Sequence, residues 1–140
     1  MADTLTFHYD VDGENFTSAG QASVQVKKNL RQLGFDPETI RRVSIAMYEG
    51  EINMVIHAGG GTADVTVDNG YIEIVLSDTG PGIANINQAM QEGFSTAPDN
   101  IRTLGFGAGM GLPNMKRYTD YMHIDSVVGE GTTITMRVNY

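Results

Sequence analysis

Apolar residues recur three or four apart through residues 16–33: Phe16, Ala19, Ala22, Val26, Leu30 and Leu33. That period puts them on one stripe and predicts an amphipathic helix closed by Gly34. Before it, Leu5 to Val11 alternates weakly and reads as a strand. Asp36-Pro37 has the form of an N-cap followed by proline at the first helical position. It opens a second helix that runs to about Ala58, with Ile40, Val43, Met47, Met54 and Val55 on its buried side. Gly59-Gly60-Gly61 ends that helix. Thr62 to Val67 and Tyr71 to Ser77 are β-rich runs joined by Asp68-Asn69-Gly70, a strong hairpin signal. Ile86 to Gln91 reads as a short helix, and Phe94 to Leu104, rich in Ser, Thr, Pro, Asp and Asn, as a mobile loop. A further helix starts near Gly109 to Gly111 and runs to about Thr119. Two last strands, Met122 to Val127 and Thr132 to Val138, turn at Gly129-Glu130-Gly131. Paired strands with helices between them predict an α/β chain in which a mixed sheet is covered by helices on one face.

Composition narrows the class. With 140 residues and no linker or repeat, residues 1–140 read as a single domain. The net charge of −8 argues against a duplex-binding surface, so no direct nucleic-acid partner is expected. A nucleotide remains possible, because it needs only local donors and a metal. With no cysteine, disulfides, thiolate metal sites and cysteine nucleophiles are excluded. Met1-Ala2-Asp3-Thr4-Leu5 has no basic region before an apolar run, and no apolar stretch approaches the roughly 20 residues that span a bilayer. The expectation is a cytoplasmic protein without a membrane partner.

Glycine then changes the picture. Seven of the 17 glycines fall between Gly80 and Gly111, six of them in Asp78-Thr79-Gly80-Pro81-Gly82-Ile83 and in Gly105-Phe106-Gly107-Ala108-Gly109-Met110-Gly111-Leu112. So many glycines weaken a fold unless the backbone must turn sharply or admit a ligand closely. The second cluster precedes a helix, where N–H groups and the helix dipole would face a phosphate; a flexible hinge is the alternative. Its spacing is neither that of a P-loop nor G-x-G-x-x-G. Glu49, Asn53 and His57 share one face of the second helix. Asn53 suits a hard cation that keeps waters and phosphates as its other ligands, and Glu49 suits proton acceptance. A solvated polar face has the same spacing, and His57 alone also fits a helix-end histidine. Glu51 points elsewhere and reads as surface, as does Arg117. Asp78, at a strand end beside glycines, suits either an exocyclic amine such as that of adenine or an Asx-turn.

In order along the chain stand Glu49-x-x-x-Asn53-x-x-x-His57, Asp78-x-Gly80-x-Gly82, Gly107-x-Gly109-x-Gly111-Leu112 and Gly129-x-Gly131-Thr132. This set resembles the four boxes of the GHKL (Bergerat-fold) ATP-binding superfamily over nearly the whole chain. The resemblance implies a two-layer sandwich with a mostly antiparallel sheet. Other branches carry large further domains or a phosphoacceptor helix pair, so this length implies the short branch of anti-sigma factor kinases and stressosome switch kinases. Those proteins phosphorylate serine or threonine on small STAS-domain antagonists. The stretches 90–96, 109–117 and 128–132 look most like the RsbT-type switch kinases.

By motif, the resemblance implies Glu49 as general base and Asn53 as the Mg²⁺ ligand. His57 belongs to the same box. Asp78 would bind the adenine amine, with Gly80, Gly82 and Ile83 beside the base and Thr132 assisting through water. Gly105, Gly107, Gly109, Met110, Gly111 and Leu112 would line the phosphates of ATP. Residues 94–104 would form the lid. Anti-sigma kinases commonly carry an arginine just before the phosphate glycines; here that neighbourhood is Phe106-Gly107-Ala108, and Arg102 is the candidate cation. Implied partners are a STAS-domain protein, a sigma factor or a phosphatase, and related short kinases often form homodimers. The second functional class is a binding module that sequesters a sigma factor with ATP as its gate.

Overall fold

A computed structural model describes residues 4–12, 20–83, 90 and 111–140. Eight elements are placed: β1 (Leu5–Asp12), α1 (Gln21–Gln32), α2 (Pro37–Ala58), β2 (Gly60–Val67), β3 (Tyr71–Asp78), α3 (Gly111–Arg117), β4 (Tyr121–Val127) and β5 (Gly131–Asn139). The strands form one sheet in the order β1-β2-β3-β5-β4. The expected sheet is mixed and mostly antiparallel; every pairing described is antiparallel, because consecutive strands are joined as hairpins or return across the sheet in the opposite sense.

Alternation fixes which face is covered. Ala63, Val65 and Val67 of β2, Ile72, Ile74 and Leu76 of β3, and Ile134, Met136 and Val138 of β5 are buried. A period of two sends their neighbours to the opposite, open face. There His8 contacts Asp64 and Asp10, and the Arg137 guanidinium pairs with Glu73 at 2.9 Å between the Tyr71 and Tyr121 rings. The helices lie on the apolar side. α2 packs against α1, α3 and the sheet. Asp36 caps its start by accepting from the Thr39 N–H at 3.2 Å, and Gly59 ends it in the left-handed region at φ 73°.

Three boundaries differ from expectation. The first helix begins at Gln21, because Gly20 sits at φ 98° and breaks the helical path there; Phe16 and Ala19 lie outside the described residues. Leu33, taken as apolar stripe, is 44% exposed beyond the helix end. Only Gly59 of the glycine triplet terminates α2, since Gly60 and Gly61 already pair with Asp12 and Val11 of β1. The expected helix at 86–91 and loop at 94–104 lie outside the described residues, apart from a turn at Met90. Among the described residues no helix is long and apolar enough to cross a membrane.

Candidate functional site

The C-terminal half of α2 carries Glu49, Asn53 and His57 on successive turns, all half-buried. α2 comes close to its neighbours through Gly50, where a Cβ would stand 2.0 Å from Leu76 Cδ1 and 3.1 Å from Met115 Cε. That approach seats α3 over the same stretch of α2, with Leu112 and Met115 buried beneath.

α3 touches both candidate side chains. A Cβ on Gly111, its first residue, would lie 2.8 Å from Asn53 Nδ2 and 3.0 Å from Oδ1. The last glycine of the second cluster therefore abuts the Asn53 amide, and a larger residue there would displace it. Asn53 Nδ2 also lies 4.0 Å from Met115 Sδ. One turn along α3, the Asn114 amide donates to Glu49, while Asn114 Oδ1 accepts from Arg117 Nη1 at 3.2 Å. Burial raises the Glu49 pKa above its ordinary value, and the Asn114 bond pulls it partly back. His57, in the last turn of α2, is pushed below its ordinary value by burial, which favours the neutral ring.

The first glycine cluster closes the next edge. Asp78 ends β3 opposite Thr132, and its Oδ1 accepts from Gly80 N at 3.0 Å and Thr132 N at 3.3 Å. The Asx-turn is thus present, and it engages one oxygen only; Oδ2 takes no hydrogen bond among the described residues. Gly80 lies against α2, where a Cβ would meet Ala58 Cβ at 2.6 Å. Gly82, at φ 79°, lies against the β4–β5 turn, where a Cβ would meet Val127 O at 2.6 Å. Pro81 O accepts from Gly129 N at 2.9 Å, and Ile83 N donates to Ser126 Oγ at 2.7 Å. Three segments distant in sequence are thereby locked along one edge of the sandwich.

Glu49, Asn53, His57, Asp78, Gly80, Gly82, Ile83, Gly111, Leu112 and Thr132 thus lie on four segments that meet: α2, the β3 exit, the start of α3 and the start of β5. Arg102, Gly105, Gly107, Gly109 and Met110 lie outside the described residues. Among the described residues no three His, Asp or Glu side chains converge as a metal cage. Asn53 with phosphate oxygens is the donor set that fits a hard cation such as Mg²⁺.

Three residues gain a place that the sequence reading did not give them. Glu51, read as surface, is 2% exposed and accepts backbone N–H bonds from Gly20, Ala22 and Ser23 at 2.8–3.1 Å. It is wrong to place it on a solvated face, because α1 covers that side of α2 and its first turn needs an acceptor. Asn114 orients Glu49. Ser126 interrupts the inward series Met122, Ile124, Ser126 of β4 with a polar group, a break in alternation visible in the sequence. Arg117 is exposed, as expected, yet it is tied to Asn114.

Comparison with known proteins bears on the family and the fold. Residues 15–138 match the family described as histidine kinase-like ATPase domain. The chain is 36% identical to the serine/threonine-protein kinase RsbT of Bacillus subtilis over 118 residues, 81% of this chain and 83% of that one. It is 28% identical to the anti-sigma F factor of Priestia megaterium, over 83% of this chain and 80% of that one. In fold it resembles the RsbU and RsbW domains of Rv1364c from Mycobacterium tuberculosis, with a TM-score of 0.65 at 17% identity. That match covers 96% of this chain and 32% of the longer one. The mycobacterial sensor histidine kinase MprB aligns with a TM-score of 0.55 at 18% identity, over 96% of this chain and 97% of that one. The chain belongs to the histidine kinase-like (GHKL) ATPase family, on the side of it that holds RsbT and the anti-sigma F factors.

Proposed function

We propose that this protein is an ATP- and Mg²⁺-dependent serine/threonine protein kinase whose substrate is a small STAS-domain regulator in a partner-switching pathway. The observation that carries the reading is the placing of Glu49 and Asn53 one turn apart on α2, both facing α3, where Asn114 bonds Glu49 and Met115 Sδ lies 4.0 Å from Asn53 Nδ2. Support for the kinase activity comes from the likeness to RsbT over most of both chains.

In this reading Asp78 Oδ2 accepts from the adenine amine beside Gly80, Gly82 and Ile83. Thr132 assists through water. Gly105, Gly107, Gly109, Met110, Gly111 and Leu112 would line the phosphates, with Arg102 supplying a cation. His57, neutral, completes the polar face of α2. Bound Mg²⁺ would take Asn53 Oδ1 as a protein ligand and neutralise charge on the phosphates. Glu49 in its ionised form, favoured by the Asn114 amide, accepts the proton of the substrate hydroxyl. The hydroxyl oxygen then bonds to the γ-phosphorus, and ADP leaves with the electrons of the broken bridging bond. The protein's contribution is positioning and charge stabilisation.

The decisive experiment is incubation with γ-labelled ATP and STAS proteins encoded nearby. Label transferred to a STAS serine or threonine is the expected result. A second reading, a sigma-factor-binding module gated by ATP, draws on the likeness to anti-sigma F factors. Absence of transfer, together with recovery of a sigma subunit in a pull-down, would replace the first reading by the second.

A further inference from the structure

Ser126 occupies an inward-facing position of β4 after Met122 and Ile124, so its hydroxyl enters the sandwich where an apolar side chain is expected. Three groups from two segments, the β3 exit and the start of β5, converge on that one oxygen. Ile83 N donates to it at 2.7 Å, Thr132 Oγ1 lies 2.8 Å away, and Gly131 O lies 3.3 Å away. Thr132 is itself buried, and its N–H donates to the Asp78 carboxylate. A hydroxyl has one proton and two acceptor sites. With one acceptor site filled by Ile83 N–H, the proton of Ser126 goes either to Gly131 O or to Thr132 Oγ1. The first arrangement makes Thr132 donate inward to Ser126. The second frees the Thr132 proton for a group in the pocket.

We propose that Ser126 is a positioning residue for base recognition: it fixes the Gly82-Ile83 backbone and sets the donor sense of the Thr132 hydroxyl beside Asp78. The proposal rests on the nucleotide-site reading above. A merely structural serine would support every nucleotide alike. A residue that orients the wall around Asp78 instead supports the contact to the 6-amino group selectively. Ser126 acts through Thr132 and Ile83, without touching the phosphates.

The test is titration calorimetry of the full chain with ATP and with purine riboside 5′-triphosphate, the same nucleotide lacking the 6-amino group. Wild type is expected to prefer ATP. Ser126→Ala is expected to lose roughly five- to tenfold in ATP affinity and little for the analogue, so the preference shrinks. Ser126→Thr, which keeps the hydroxyl, should restore much of it. If Ser126→Ala fails to fold by circular dichroism, Thr132→Val carries the same test, because it removes the partner hydroxyl and leaves the β5 backbone bonds. Equal losses for both nucleotides in the folded variant overturn the assignment. A wild-type protein that binds both equally removes the amine contact, and the assignment with it. A wild-type protein that binds neither overturns the nucleotide reading itself.

Discussion

Glu49 sits in a conflict that its chemistry requires. Burial favours the neutral carboxyl, whereas proton acceptance needs the carboxylate, and the Asn114 amide supports the latter. A carboxyl whose folded pKa exceeds its unfolded value stabilises the fold fully below the unfolded pKa. That contribution is lost as pH rises through the folded pKa. Glu49→Gln mimics the neutral form, so at pH 7 its melting temperature should equal or exceed that of wild type, with the gap closing towards pH 4 in scanning calorimetry. The same variant should bind ATP and transfer phosphate at least about a hundredfold more slowly. Unchanged transfer would remove Glu49 as the base. Wild-type activity should fall on the acid side at a pH above the ordinary carboxylate range. Asn53 is separable from it: Asn53→Ala should weaken ATP binding in Mg²⁺ and leave binding in EDTA nearly unchanged. Equal affinity in Mg²⁺ would exclude Asn53 from the metal.

At the scale of elements, α2 explains both what the sequence disclosed and what it hid. Its start, its end at Gly59 and its apolar residues Ile40, Val43, Met47, Met54 and Val55 follow from capping and period, and all five are buried. Glu51 does not follow, because a single apolar stripe is the pattern of a helix covered on one side. α2 is covered by α1, α3 and the sheet, and the acceptor it offers to α1 reads in sequence as one more surface charge. Three N–H groups at the start of α1 depend on that carboxylate. Glu51→Ala should cost on the order of 3 kcal/mol in urea unfolding, because buried donors lose their acceptor. A change below about 0.5 kcal/mol would mean that water replaces it. The α1 start was hidden for a related reason: periodicity continues back to Phe16, but the backbone at Gly20 turns left-handed.

Across the whole molecule, the candidate site lies at one end of the sandwich, where the β3 exit, the β4–β5 turn, the end of α2 and the start of α3 meet. The order of the four motifs was legible because three of them carry closely spaced glycines and the other sets Glu49, Asn53 and His57 on one helix face. The reason for each glycine became plain only in three dimensions, since the contacts they permit join residues far apart in sequence. Gly131 and Gly129 separate the two roles of glycine. Both have positive φ, 141° and 82°. A Cβ on Gly131 would stand 2.1 Å from Asp78 O, a backbone atom held in the β3–β5 ladder, so neither side can yield. A Cβ on Gly129 meets nothing within 4 Å. Gly129→Ala should therefore cost only the left-handed strain, about 1–2 kcal/mol, with ATP affinity near wild type. Gly131→Ala adds a backbone collision to its strain, must part β3 from β5 beside Asp78, and should lose ATP binding together with several kcal/mol of stability. Chemical denaturation and nucleotide titration of the two variants side by side measure this. Wild-type ATP affinity in a folded Gly131→Ala protein would show that the Asp78–Thr132 junction does not build the pocket.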